Sequence, residues 1–177
     1  MRAISLWQPW ATAAALGSKR IETRHWATAY RGPLLIHAAK RCNKTEMRDY
    51  ASQPAWLNAL QLPSAAGPLW ELLPLGAVVA VCNLADCRPT ESFGADYLDM
   101  PHTNELSEAS PYTERMLGNF KPQRFGWVLT DVQALREPIP YKGGQSFFDV
   151  PRALVAQDLA AWPGRYQYGD ALGVAHG

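Results

Sequence analysis

The sequence predicts an α+β fold in which short strands form a mixed β-barrel with helices inserted around it. Three observations lead to this prediction. Apolar segments of strand length recur along the chain, glycine and proline turns separate them, and helix-favouring segments fall between them without regular alternation. A doubly wound parallel sheet would require regular alternation of strands and helices, so the barrel is favoured.

The first part of the chain contains the predicted N-terminal strands and one helix. Residues 3–7 form a short apolar segment typical of a strand, and the alanine-rich residues 10–16 favour a helix. Gly17 is a suitable end for that helix, because glycine adopts the left-handed conformation at little cost. Ile21 to Arg24 alternates between apolar and polar residues, which indicates a strand. Residues 34–38 are expected to form a buried strand.

The middle of the chain combines a helical insertion, a strand and an acidic loop. Prolines interrupt the region from about 41 to 75, where Asn43 and Glu46 have the spacing of a capping box. The apolar run from Gly76 to Cys87 is the clearest strand in the sequence. The polar region from about 90 to 120 is expected to be an acidic surface loop with one short helix near its end. Two helices are expected in the insertion, at about residues 44–50 and 55–60.

The C-terminal part contains the remaining predicted elements. Residues 124–135 alternate as a long strand does, and residues 138–141 are assigned to an edge segment because proline cannot donate to a central ladder. Residues 147–150 are expected to form a final strand, and residues 151–162 suit a helix. With 177 residues, of which 47% are hydrophobic, the chain is expected to form a single domain over residues 1–177.

The composition also restricts the classes of protein to which the chain can belong. No apolar run reaches the roughly 18 residues of a membrane helix, and the N-terminus lacks the pattern of a secretory leader, so a cytoplasmic protein without a membrane partner is expected. Cys42, Cys82 and Cys87 form no Cys-x-x-Cys pair and are expected to be reduced. We expect no cofactor and no metal, and we favour a monomer.

Charge is distributed unevenly along the chain, although the net charge is only +1. Residues 1–44 contain eight Lys or Arg and one acid, Glu22, whereas residues 45–120 contain three basic and ten acidic residues. This pattern predicts a dipolar molecule with one face that attracts anions. The alternative is that folding mixes the two groups of charges in space.

Lys19, Glu22 and Arg24 form the main candidate site. If residues 21–24 are a strand, Glu22 and Arg24 lie on the same face, and Lys19 joins them if the chain bends after Gly17. A carboxylate between two cations could hold them in place or accept a hydrogen bond from the edge of a base. The alternative is a surface ladder of salt bridges worth less than about 1 kcal/mol.

Further candidates for binding lie on either side of this motif. Trp7 and Trp10 could stack on a base and Gln8 could bond to a base edge, although with seven tryptophans in the chain one of the pair is expected to belong to the core. Arg31, on a glycine turn, and Arg124, at the start of a strand, could contact phosphate.

Two other polar residues have less defined roles in the sequence. His37 lies in an apolar strand and is expected to be a buried, hydrogen-bonded histidine, because no neighbour has the spacing of a metal ligand. Ser146 could be a nucleophile, although the sequence has no Gly-x-Ser-x-Gly elbow.

Together these segments resemble the ASCH domain (activating signal cointegrator-1 homology) family. Gly17, Lys19, Glu22 and Arg24 match the family's Gly-x-Lys-x-x-Glu-x-Arg pattern. Flanking blocks occur in the same order at residues 5–11, 30–38, 124–127 and 140–143. The resemblance implies a PUA-like barrel related to RNA-binding domains, with the motif residues facing a cleft.

The function that this resemblance implies is binding of RNA or a nucleotide in a basic cleft, with a role in RNA metabolism or modification. The predicted binding residues are Trp7, Gln8, Trp10, Lys19, Arg24, Arg31 and Arg124. The sequence shows no clear pair of nucleophile and base, which favours binding over catalysis.

The alternative is a small hydrolase that uses Lys19. Some proteins similar to this family remove the acetyl group of N4-acetylcytidine with the motif lysine and a threonine three residues later, but here that position is Glu22, and Thr23 is one residue off. Ribonuclease activity is also associated with the broader family. In that reading Lys19 acts as base or electrostatic stabiliser, and Glu22, Tyr30 and Ser146 complete the set of catalytic candidates.

Overall fold

The computed structural model of the chain describes residues 1–63, 66–102 and 111–163. Within these residues the strands form one six-stranded sheet with the order β2-β5-β4-β3-β1-β6. The strands are β1 (Arg2–Leu6), β2 (Ile21–Arg24), β3 (Gly32–Ala38), β4 (Ala77–Pro89), β5 (Phe125–Pro140) and β6 (Phe147–Asp149). β1 pairs with β3 in parallel, and the other neighbouring strands are antiparallel, so the sheet is mixed as predicted.

The sheet curls into a half-barrel. Trp127 on β5 is fully buried, and its ring centroid lies 5.4 Å from that of Phe147 on β6. β4, β3 and β1 stand between these two strands in the sheet order, so a flat sheet could not bring the two rings together. The predicted α+β barrel of short strands is therefore confirmed.

Helices surround this sheet, and two short ones, Leu69–Leu72 and Ala95–Leu98, were not predicted from the sequence. They are α1 (Trp10–Ala15), α2 (Lys44–Ala51), α3 (Pro54–Ala59), α4 (Leu69–Leu72), α5 (Ala95–Leu98) and α6 (Ala156–Ala161). The predicted helical insertion at 41–75 thus contains α2, α3 and also α4. The last predicted helix is shorter than expected, because Arg152–Val155 forms a 3-10 turn before α6 begins.

The helical insertion begins with a side-chain cap and packs as a separate cluster. Asn43 Oδ1 accepts a hydrogen bond from Thr45 N at 3.1 Å, which satisfies an amide at the start of α2. Met47, Trp56 and Leu69, one from each of α2, α3 and α4, are buried together in one apolar cluster. α1 contributes Ala13 to the same cluster, so the insertion is fixed to the element that leads into the candidate site.

The prediction of a break before residues 138–141 is wrong, because β5 continues as one strand from Phe125 to Pro140. Val78 pairs with Ile139 and Ala77 with Pro140, so β4 holds this end of β5 on one side. In the described part of the chain, β2 pairs with β5 only over Phe125–Val128. The opposite edge of β5 is unpaired near Pro140, where a residue without an N–H is tolerated.

The predicted acidic loop at 90–120 is only partly a surface loop. Residues 103–110, with Glu105 and Glu108, lie outside the described residues. Around them, a 3-10 turn covers Glu114–Leu117, and both Glu114 and Leu117 have 0% exposure. The last part of the region is therefore built into the protein. No helix in the described ranges combines the length and apolar character needed to span a membrane.

Candidate functional site

Lys19 points into the protein because of the way α1 ends. Gly17 has a φ of +76°, which reverses the chain, and Lys19 N then donates a hydrogen bond to Ala13 O at 3.0 Å. The Lys19 residue is 1% exposed. Its Nζ donates hydrogen bonds to Ile21 O and, at 2.8 Å, to Leu117 O. The ammonium group is thus buried and held by one main-chain oxygen from its own segment and one from 98 residues away.

Glu22 lies between two cations, as the spacing predicts. One of its carboxylate oxygens is 3.5 Å from Lys19 Nζ, and the other is 3.0 Å from Arg24 Nε. The Arg24 Nε–H is not aligned with this oxygen and has no hydrogen-bond acceptor among the described residues, so the contact is an ion pair only. Arg24 Nη2 instead donates to Ser5 O at 2.8 Å. The Glu22 side chain is 12% exposed, so this is not a solvated surface ladder.

These side chains open onto a cleft of about 370 Å³. Its walls come from the end of β1, the start of α1, β2 and the segment after the 3-10 turn. The residues that line it are Ser5, Leu6, Trp7, Trp10, Lys19, Glu22, Thr23, Arg24, Met116, Leu117, Gly118 and Asn119. The volume lies within the range of about 300–1,000 Å³ that is common for small-molecule sites.

The wall formed by residues 116–119 is anchored by long-range polar contacts. The fully buried Glu114 carboxylate accepts the N–H of Ile21 at 2.7 Å. Thr23 Oγ1 accepts the N–H of Asn119 at 2.9 Å. Arg124 then bridges the two, donating from Nη2 to Thr23 O and from Nε to Asn119 O, both at 3.1 Å. β2 and this wall are therefore one connected unit, and the wall is not free to swing.

The two tryptophans at the cleft differ in their surroundings. Trp10 packs edge-on against Tyr50 and Trp56, with ring centroids 5.3 and 5.9 Å away. Trp7 is 47% exposed, and the guanidinium of Arg41 lies 5.3 Å from its ring centroid. Trp10 is thus the core member of the pair, whereas about half of Trp7 stays exposed, with Arg41 over its ring.

The ASCH domain family model matches residues 4–138. The chain belongs to the ASCH domain family. The match also runs through the helical insertion and the acidic loop, which lie between the blocks that carry the resemblance. It ends before residues 140–143, which the sequence analysis included. The predicted family is confirmed, and the mixed, curled sheet agrees with the predicted α+β class.

Individual relatives of this ASCH domain are distant. Activating signal cointegrator 1 of Mus musculus is 28% identical over 107 residues, which is 59% of this chain but only 17% of the mouse protein. A crystal structure of ASCH from Zymomonas mobilis covers 90% of this chain and 93% of its own, with 16% identity and a TM-score of 0.49. Two mutants of that Zymomonas protein have TM-scores of 0.48 with 15% and 13% identity.

Gln8 lies beside the cleft of the ASCH domain, but its amide is engaged within the protein. Nε2 donates to Thr12 Oγ1 and to Pro74 O, each at 2.8 Å, and Oε1 accepts the Thr12 N–H at 3.0 Å. The residue is 5% exposed. In this arrangement Gln8 fixes the start of α1 against the helical insertion and presents no free donor to a base edge.

Four other predicted site residues lie outside the cleft lining, among them Arg124, which bridges β2 and the wall from behind the lining residues. Arg31 is exposed and pairs with Asp86, 3.2 Å away. The Tyr30 hydroxyl donates to Pro33 O at 2.5 Å. Ser146 is exposed in a turn with a φ of +53°. Of the four catalytic candidates, the structure therefore brings together Lys19 and Glu22, and it leaves Tyr30 and Ser146 elsewhere.

His37 is the buried, hydrogen-bonded histidine that the sequence predicts. It is 1% exposed, with Nε2 3.0 Å from Tyr141 O and Nδ1 3.0 Å from Ser5 Oγ. Since a carbonyl oxygen only accepts, Nε2 carries the proton and Nδ1 of the neutral ring accepts from Ser5. Burial lowers the pKa of His37, and the bond to Tyr141 O opposes that effect. Across the described residues, no three His, Cys, Asp or Glu side chains are grouped as a metal site requires.

Sequence reasoning missed the residues that complete the site from far along the chain. Leu117 O, which binds Lys19, is 98 residues away, and Glu114, which binds Ile21 N, is 93 residues away. Neither residue lies in a sequence motif that would indicate this contact. The only available signal was Gly118 as a stop after a short helical segment, which correctly indicates a turn near that position but not its contact with β2.

Proposed function

We propose that this chain binds RNA or a nucleotide in the cleft formed by Lys19, Glu22 and Arg24. One observation carries the proposal: the Glu22 carboxylate is held between two cations inside a cleft whose rim includes a half-exposed tryptophan, Trp7. Membership of the ASCH domain family supports an RNA-binding or related role in general terms. We further propose that the protein acts in RNA metabolism or modification.

Glu22 is the group that reads the base in this proposal. A carboxylate accepts hydrogen bonds and donates none, so it favours a base edge that presents an amino group, as cytosine N4 does. Lys19 and Arg24 fix the position of the carboxylate, so little side-chain entropy is lost when a base binds. Uracil presents an oxygen where cytosine presents its amino group, and this oxygen would be repelled by the Glu22 carboxylate.

Trp7 supplies the stacking surface. Its exposed ring borders the cleft, and stacking between a base and an aromatic ring contributes about 1–3 kcal/mol. Trp10 supports the cleft from beneath, because its ring is packed edge-on between Tyr50 and Trp56. In this proposal only one of the two tryptophans touches the ligand.

The hydrolase alternative has less support from the geometry. Lys19 has three donors, and its Nζ faces Ile21 O, Leu117 O and the Glu22 carboxylate. A general base needs a free lone pair, and a nucleophile needs access to substrate. The contacts of Lys19 suit a positioning residue that holds Glu22 and the cleft wall together.

The test compares single-stranded oligocytidylate and oligouridylate by fluorescence anisotropy. Wild type is expected to bind oligocytidylate more tightly, and Glu22→Gln is expected to lose that preference. Trp7→Ala should weaken both by about 1–3 kcal/mol. Glu137→Gln, an exposed carboxylate outside the cleft lining, is the matched control. Absence of binding to either ligand, or equal affinities that Glu22→Gln and Trp7→Ala leave unchanged, would refute the proposal.

We place the protein in the cytoplasm. Cys42, Cys82 and Cys87 are all free in the structure, which supports a reducing compartment. Burial raises the pKa of the Cys82 thiol, so that this residue is an inert part of the core and not a reactive group.

A further inference from the structure

A second groove, of about 740 Å³, adjoins the cleft. Ser5 and Trp7, at the end of β1, line both cavities. The ring of Trp7 therefore stands at the border between them. A ligand that stacks on this ring can continue from the cleft into the groove without leaving the surface of the protein.

The groove is the more basic of the two cavities. It is lined by Lys40, Arg41 and Lys142, all exposed, and no Asp or Glu is among the described residues that line it. The cleft, by contrast, has two cations and the carboxylate of Glu22. Electrostatic attraction for an anion is therefore concentrated in the groove and not around Lys19.

Much of the positive charge of the N-terminal region is neutralised elsewhere. Arg31 pairs with Asp86, and Arg20 Nε lies 3.8 Å from the buried Glu114. Lys40 and Arg41 belong to the same basic stretch of sequence but open onto a cavity whose described lining contains no acid. No acid of the described groove lining neutralises them, so they remain available to an outside phosphate.

The walls that carry these cations are held by close packing. Gly76 has a φ of +65°, and a Cβ built there would lie 3.4 Å from Lys40 Cβ, so the lysine stem rests against this turn. Gly143 is packed so tightly that a Cβ would lie 2.5 Å from His37 Cε1. Tyr141 N also donates to Gly76 O at 3.0 Å, which joins the two walls. Lys142 therefore lies on a loop that is fixed by packing. None of the described lining residues is an acid that could neutralise it.

We propose that this groove binds the phosphates of a single-stranded RNA whose base occupies the cleft, so that the ligand is an oligonucleotide and not a free nucleoside. This inference rests on the proposed function and adds the substrate class. Sites for single strands combine a basic track for the backbone with an aromatic platform for a base, which here are the groove and Trp7. A base that stacks on Trp7 must be unstacked from its neighbours, which excludes a regular duplex.

The experiment measures binding of cytidine, a cytidine dinucleotide and a longer oligocytidylate to the full chain at several salt concentrations. Affinity is expected to rise with length in wild type. Lys40→Ala, Arg41→Ala and Lys142→Ala are each expected to reduce the salt slope for the oligonucleotide by about 0.7, the value for one phosphate contact with a single strand. Lys40→Ala and Lys142→Ala should leave the affinity for cytidine unchanged, whereas Arg41→Ala also removes a contact to the Trp7 ring and is judged by its salt slope alone. Arg152→Ala, an exposed cation outside the groove lining, should leave both unchanged.

The outcomes separate this inference from the proposed function. If cytidine binds but affinity does not rise with length, or the three variants keep the wild-type salt slope, the groove does not bind phosphate and the inference is overturned while the cleft proposal stands. If none of the three ligands binds wild type, both are overturned. If wild type bound a duplex RNA as tightly as the single-stranded oligocytidylate, or more tightly, the inference of a single-stranded ligand would also be overturned. Thermal unfolding of each variant checks that these exposed substitutions leave the fold intact.

Discussion

The ammonium of Lys19 lies 3.5 Å from the carboxylate of Glu22, three residues further along the chain, and Lys19 is almost completely buried. The pair is therefore part of the interior. A buried charge is tolerated only when its partners replace the water it has lost, which the carbonyls of Ile21 and Leu117 help to do. Removing one member leaves the other members of the set incompletely paired.

We expect Lys19→Met to lower the free energy of unfolding by about 3–5 kcal/mol, because it leaves two buried carbonyl oxygens and a carboxylate without their donor. Chemical denaturation measures the change. Lys121→Met removes an exposed lysine and should stay within about 0.5 kcal/mol of wild type. If Lys19→Met matched Lys121→Met, the buried ammonium would have no structural role, and its availability for catalysis would have to be reconsidered.

Glu114 is expected to control the cleft wall. Its buried carboxylate accepts the N–H groups of Arg20 and Ile21, so Glu114→Gln places an amide N–H₂ against one of these donors and should cost about 1–3 kcal/mol. Amide hydrogen exchange should also become faster around residues 116–119. Glu71→Gln, an exposed carboxylate in α4, is the control. Unchanged exchange in Glu114→Gln would show that the wall is held by other contacts.

The motif around β2 could be predicted from the sequence because its information is local. Gly17 ends α1, the period of two places Glu22 and Arg24 on one face, and both features appear in the structure. The partners of these residues could not be predicted, because they come from the far end of the chain. Leu117 O lies 2.8 Å from Lys19 Nζ only in the folded chain, in which β2 pairs with β5 and residues 114–119 contact β2.

Folding changes the distribution of charge that residue counts predict. The sequence predicted a basic face in the first 44 residues, but folding brings acids from the middle of the chain to several of these cations, as with Arg31 and Asp86. Asp99 and Arg115, both in the acidic region, pair with each other, so part of the negative charge of this region is neutralised within it. Gln8 and Arg124 have the chemistry of ligand contacts, yet their hydrogen bonds hold the cleft together.

Gly143 is predicted to be required by packing and not by backbone conformation. A Cβ at this position would lie 2.5 Å from Cε1 of the buried His37 and 2.7 Å from Oγ of Ser5. We expect Gly143→Ala to lower the free energy of unfolding by about 1–3 kcal/mol through overpacking. Gly67→Ala, where no atom lies within 4 Å of the added Cβ, should be close to neutral. Equal melting temperatures for the two variants would contradict this account.

His37 is predicted to make the stability of the protein depend on pH. Burial lowers its pKa below the ordinary value of 6.5, with the hydrogen bond to Tyr141 O acting in the opposite direction. The unfolded chain therefore binds the proton more readily than the folded chain. The stabilisation is fully present above about pH 6.5 and is lost as the pH falls through the folded-state pKa.

Within that window the contribution of one histidine to the slope is at most about 1.4 kcal/mol per pH unit. Denaturant unfolding at a series of pH values should show wild type losing stability more steeply than His37→Gln on acidification. His102 also has a pKa lowered by burial and by Arg20, but it is present in both proteins and cancels in the comparison. His25→Gln, at an exposed position, should keep the wild-type slope. Parallel curves for wild type and His37→Gln would show that His37 gains its proton as easily in the folded chain as in the unfolded one.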